Sequence, residues 1–143
     1  MQTRTANAEW KGNLAEGTGA LSTESGVLSN VGYSFGSRFE SGPGTNPEEL
    51  IAAAHAGCFA MAFANELASA GHTPERVHVV GKAHLEKTDD GPGLTRIELI
   101  CEAEVPGIDD DTFQSIAEGA RTGCPISKAL AAVEIDLEAT LLR

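Results

Sequence analysis

The chain has 143 residues, of which 41% are hydrophobic, which suits one domain with a modest core. A domain this small buries a limited share of its surface, so self-association is a natural source of added stability. A formal charge of −11 argues against a nucleic-acid partner, which would call for a surplus of Lys and Arg, and no basic amphipathic stretch offers itself to a membrane surface.

Residues 1–11 lack the basic, apolar, small-residue order of a secretory leader, and no apolar run comes near the roughly 18 residues of a membrane span. A cytoplasmic protein is expected, and in that compartment thiols stay reduced. The three cysteines, Cys58, Cys101 and Cys124, are then poorly explained as a disulfide framework. There is no C-x-x-C, and the His nearest to Cys58 is His55, so the spacing points to no metal site.

In chain order, residues 3–31 read as short strands with turns at Gly12, Gly17–Gly19 and Gly26. Residues 41–47 form a loop that ends in a helix start: Asn46 as N-cap, Pro47 at the first helical position and Glu49 three after the cap. The helix runs from Pro47 to Ala70 and stops at Gly71. Between Leu50 and Phe63 almost every residue is apolar or small. A helix apolar on all sides is a buried helix, and a second copy of the chain is the natural cover. Val77–Lys87 and Leu94–Val105 alternate as strands around a turn at 89–93, and Ile97, Leu99, Cys101, Ala103 and Val105 share one face. Asp109–Arg121 is helical, a short helix opens at Cys124-Pro125, and Val133–Leu141 is a last strand. The result is a single α+β domain over 1–143.

Cys101, among Ile97, Leu99 and Ala103, behaves as a small core hydrophobe. Cys58 sits within the small-residue helix. Burial alone would leave its thiol inert, so as a nucleophile it needs a cation. Residues 47–75 carry no Lys or Arg, and Arg38, just before the loop, is the best source: it is permanently charged, with a planar fork able to bridge a thiolate and a carboxylate. His55 lies one turn before Cys58; it can act as a base or simply be hydrogen-bonded. Cys124, at a helix N-terminus, is either an accessible, thiolate-prone redox residue or a chance cap.

The segments STESGVL (22–28), RFE (38–40), GTNPEELI (44–51), AAHAGCF (53–59), VPGI (105–108) and GCPIS (123–127) resemble the OsmC branch of the OsmC/Ohr hydroperoxide reductases over essentially the whole chain. The resemblance implies an intertwined homodimer with central buried helices wrapped by antiparallel sheets. It implies a peroxidase acting on organic hydroperoxides and, less well, on hydrogen peroxide. Cys58 would be the peroxidatic thiol, Cys124 its resolving partner, Arg38 the activating cation and Glu48 the carboxylate holding it. No metal or organic cofactor is implied; an external dithiol, favouring dihydrolipoyl proteins, would supply electrons. The Ohr branch places its arginine near the N-terminus, where only Arg4 stands here, without that motif.

If the helix is continuous, Glu48 and Cys58 lie about 15 Å apart along its axis, at 1.5 Å per residue. Either the helix breaks between Ala52 and Ala56, or Glu48 serves Cys58 of another subunit; the unbroken Ala run favours the second. Two further readings are an apolar-ligand or acyl-group binding module without turnover, and an acyl transferase using Cys58 with His55.

Overall fold

The short N-terminal strands form an antiparallel meander. In the computed structural model, which describes all residues 1–143, β1 (Ala6–Lys11), β2 (Thr18–Thr23) and β3 (Val31–Tyr33) pair in that order. A short helix that the sequence reading did not anticipate follows, α1 (Phe35–Phe39). Five residues are too few to show a helical period. Its start is nonetheless fixed by a reciprocal cap, in which Ser34 and Ser37 each accept the other's backbone N–H. Gly44 has φ +107°, and a Cβ there would lie 2.6 Å from the Gly32 carbonyl oxygen, so only glycine fits this turn.

The long helix, α2, is unbroken from Pro47 to Ser69. Asn46 caps it as expected, its side-chain oxygen accepting the Glu49 N–H at 2.7 Å. At the other end Gly71 is left-handed (φ +90°), with Gly71 N–H bonded to Ala68 O and His72 N–H to Leu67 O. This pair of bonds closes the last turn.

The chain clusters into two compact units, residues 1–50 and 51–143. The second is built on a three-stranded sheet of order β4 (Arg76–Thr88), β5 (Gly91–Glu104), β6 (Glu134–Leu142). The turn between β4 and β5 is tighter than expected, because Gly91, Pro92 and Gly93 already pair with Thr88, Lys87 and Glu86. The sheet is not wholly antiparallel: β6 runs parallel to β5. Helices α3 (Asp110–Gly123) and α4 (Pro125–Ala129) lie between those strands and return the chain to the starting edge, which a parallel pairing requires.

One face of the sheet carries the core. Ile97, Leu99, Cys101 and Ala103 on β5 are fully buried, as are Phe59, Phe63 and Leu67 on α2 and Phe113, Ala117 and Ala120 on α3. The Phe63 and Phe113 rings meet edge to face at 5.2 Å. Gly81 lets α2 approach β4 closely, since a Cβ there would lie 2.7 Å from the Ala52 carbonyl oxygen.

As expected of a helix that its own chain cannot surround, α2 is only partly covered within one chain. A single stripe, His55, Phe59, Phe63 and Leu67, repeats every fourth residue and is buried, while Ala53, Ala54, Gly57 and Met61 are exposed. The most apolar 18-residue window of α2 is only 22% buried. By length and composition α2 is also long and apolar enough to cross a membrane, contrary to the sequence reading. Scattered polar residues hide this when one looks for an uninterrupted apolar run, whereas the averaged hydropathy reveals it.

Candidate functional site

In the first unit the loop before α2 is tied down by its own polar groups. Ser37 Oγ donates to Thr45 O at 2.7 Å, and Asn46 Nδ2 donates to Ser37 O at 3.0 Å. These bonds set α1 against the first turn of α2 and bring two of the expected residues together. Arg38 Nε donates to Glu48 Oε1 at 2.7 Å, with Glu48 buried and the Arg38 side chain 39% exposed. A buried carboxylate under a partly exposed guanidinium holds that cation in place. Arg38 also lies 5.2 Å over the Phe39 ring and lines a cavity of about 440 Å³ with Trp10, Leu14, Tyr33, Phe35 and Phe39. The aromatic lining was not foreseen. Trp10 and Tyr33 stand on different strands, and only the register that pairs Trp10 and Tyr33 with the same residue, Gly19, brings their rings to 5.4 Å.

In the second unit Cys58 is half-buried on α2, one residue before Phe59. Cys124 stands at the joint where α3 ends and α4 begins. Of the two readings of Cys124, the accessible one does not hold, because the residue is fully buried: as N-cap its sulfur turns inward to accept the Ser127 backbone N–H at 3.3 Å. The two thiols are close enough that each influences the other's ionisation, and the Ile126 backbone N–H favours the charged form of both. All three cysteines are free thiols.

Their environments differ. Burial pushes the Cys58 thiol up, and the neighbouring Cys124 adds to the rise against the pull of the Ile126 N–H. Burial opposes ionisation of Cys124 too, but hydrogen bonds from the Ser127 hydroxyl and N–H, from Cys58 and from Ile126 outweigh it and bring that thiol down. Cys101 fits the sequence reading: it is fully buried, and burial pushes it up to about 11.

His55 is fully buried and hydrogen-bonded, its Nε2 2.7 Å from Ser127 Oγ. Burial lowers its pKa, so it is neutral near pH 7. With Nε2 on Ser127 and Nδ1 without a partner, neither ring nitrogen is hydrogen-bonded to Cys58, as a Cys58–His55 transferase would need. Ser127 itself was missed: its contact with His55 spans 72 residues of sequence, and only its place three residues after a helix cap marked it. No group of three or more His, Cys, Asp or Glu side chains stands together as a metal site.

Residues 40–138 match the family model described as OsmC-like protein. The chain is 49% identical over 131 residues to peroxiredoxin OsmC of Escherichia coli, covering 92% of this chain and 91% of that protein. Two solved structures share the fold. One is an OsmC-like protein of unknown function from Vibrio cholerae, with a TM-score of 0.75 at 18% identity, covering 97% of this chain and 99% of the other. The second is the organic hydroperoxide resistance protein OhrB of Bacillus subtilis, with a TM-score of 0.68 at 24% identity, covering 96% and 98%.

Cys101 yields a pH prediction. Its thiol ionises near 9 in the unfolded chain and near 11 when folded, so the folded state resists a deprotonation that the unfolded state accepts. Its contribution to stability is complete below about pH 9 and is lost as the pH rises toward 11. Urea titrations should therefore show wild type losing stability relative to Cys101→Ala across that window. At pH 7 the substitution should cost roughly 1 kcal/mol and leave any activity intact. A parallel pH dependence in the two proteins would contradict this placement.

Proposed function

The chain belongs to the OsmC family, a family of peroxide-reducing redox proteins, and on that premise we propose a thiol peroxidase in which Cys58 is oxidised and Cys124 resolves it. The observation that carries the reading is the neighbourhood of these two thiols, each of which shifts the other's ionisation, beside the Ile126 N–H that favours the charge on both. The Cys58 thiolate attacks the distal oxygen of the hydroperoxide. An S–O bond forms, the O–O bond breaks, and the departing alkoxide takes up a proton to leave as the alcohol. Cys58 is left as a sulfenic acid, the Cys124 sulfur displaces its hydroxyl as water, and a disulfide results. An external dithiol, a dihydrolipoyl protein being the favoured class, reduces the disulfide by exchange. No step calls for a metal or an organic cofactor.

Organic hydroperoxides are the proposed substrates, ahead of hydrogen peroxide. The name of the Bacillus subtilis relative supports this, and so does the aromatic cavity beside Arg38, which suits an apolar chain with a polarised oxygen at one end. A role in the oxidative stress response and a cytoplasmic location follow as parts of the same proposal.

Cys58 needs a cation, because burial holds its thiol up and the hydrogen bonds within the second unit favour Cys124 instead. Arg38, held by Glu48, is the proposed source. Since α2 has no break between Ala52 and Ala56, the proposed donor of that pair is a second copy of the chain. The open face of α2 at Ala53, Ala54, Gly57 and Met61 supports a homodimer, because small side chains admit another backbone closely.

Two experiments check this reading. Cys58→Ser should abolish dithiol-driven reduction of an organic hydroperoxide while leaving the fold intact, whereas more than a few per cent of wild-type turnover would sink the assignment. For the composite site, Cys58→Ser and Glu48→Ala subunits should each be inactive alone. Mixed at equal amounts and allowed to exchange, they should regain about a quarter of the sites, since half the dimers are mixed and each holds one intact pair. Mixed dimers without activity would place Glu48 in the service of its own chain.

A further inference from the structure

His55 is a buried polar side chain that the reaction above does not use. It heads the stripe by which α2 packs, a place where an apolar residue would suffice. Instead it is fully buried, Nε2 faces Ser127 Oγ at 2.7 Å, and Nδ1 has no hydrogen-bond partner. A buried ring nitrogen left unpaired is costly, so the residue calls for a reason beyond packing.

Ser127 supplies the reason. Its hydroxyl oxygen lies 3.4 Å from Cys124 Sγ, with the thiol as donor, and its own N–H reaches the same sulfur. The three side chains therefore form a line, Cys124 to Ser127 to His55. A serine hydroxyl has one proton to give. While Cys124 is a thiol, S–H donates to Oγ and O–H donates to Nε2, which puts the ring proton on the unpaired Nδ1. Once Cys124 is a thiolate, the hydroxyl proton is wanted at sulfur, and Nε2 must become a donor.

We infer that His55, acting through Ser127, is a positioning residue for the resolving step, receiving the proton that Cys124 gives up as it attacks the Cys58 sulfenic acid. This rests on the peroxidase reading above. The Cys124 proton passes to Ser127 Oγ as the Ser127 proton passes to His55 Nε2. The Cys124 electron pair forms the S–S bond, the S–O bond of Cys58 breaks, and the departing hydroxide together with the proton held by His55 makes up the released water. Burial keeps the imidazole uncharged at rest, with Nε2 facing the Ser127 hydroxyl, and because burial also disfavours the charged ring, the proton it takes up is passed on readily to the departing hydroxide. Peroxide attack at Cys58 precedes these steps and does not depend on them.

Single-turnover kinetics with one equivalent of cumene hydroperoxide separate the two steps. Capture of the sulfenic acid by a dimedone-type reagent reports the first, and loss of free thiols reports the second. Ser127→Ala and His55→Gln should leave the first rate unchanged and slow disulfide formation at least about tenfold near neutral pH. The glutamine can accept the serine proton's hydrogen bond but cannot take up the proton. The defect should disappear at alkaline pH, where hydroxide ionises Cys124 directly, whereas a merely structural lesion would persist at every pH. Ser127→Ala removes a single oxygen, so it carries the test even if His55→Gln folds poorly. Disulfide formation at the wild-type rate in Ser127→Ala, or a defect equal at all pH values, would overturn this role for His55 alone. A wild-type protein that yields no sulfenic acid would overturn the peroxidase reading and this inference with it.

Discussion

His55, Phe59, Phe63 and Leu67 form the stripe that seats α2 on the second unit's sheet, and the neighbourhood of Cys58 and Cys124 depends on that seating. Phe59, Phe63 and Leu67 are each fully buried, and each contributes about 1.5–3 kcal/mol by leaving water. With the stripe fixed, Cys58 lies one residue off its line, half-buried and not lost in the core. Cys124 is brought beside it by the α3–α4 joint, whose own packing rests on Phe113, Ala117 and Ala120. Shifting the helical phase by one residue would exchange Cys58 for a core position.

The same packing explains why the two thiols differ. Cys124 is deeper, yet it is the one whose ionisation is favoured, because N–H and O–H donors converge on its sulfur. Cys58 has more access and less help. A nucleophile that must meet peroxide needs access, and its charge must then be supplied by a separate group. Arg38 fits that need: an ion pair with a buried carboxylate positions the guanidinium, while its partial exposure keeps it near solvent. This division also assigns the open face of α2 a purpose, since the copy that covers Gly57 and Met61 is the proposed carrier of the Arg38 that serves Cys58.

Much of this was legible in the residues. The Asn46-Pro47 start and the Gly71 stop bound α2 to within a residue of its observed end, because caps and left-handed glycines act locally. Cys101 could be placed by alternation alone, since a strand with one buried face fixes every second residue. The pairing of Cys58 with Cys124 and of Arg38 with Glu48 came from family resemblance, not from local pattern. What escaped were relations between distant segments or within very short ones. The parallel placement of β6, the Ser127–His55 contact and the Trp10–Tyr33 cavity depend on how separate elements meet. Helix α1 is too short to announce itself. The burial of Cys124 was misjudged because a cap position was taken to mean exposure, when at a joint between two helices the capping sulfur faces inward.

The most direct measurement is peptide mapping after treatment of the fully reduced protein with one equivalent of an organic hydroperoxide and no reductant. The account predicts a single product, two hydrogens lighter, in which the peptides holding Cys58 and Cys124 are joined while Cys101 remains a free thiol. A disulfide involving Cys101, a stable oxidation confined to Cys124, or three unreacted thiols beside unconsumed hydroperoxide would contradict it.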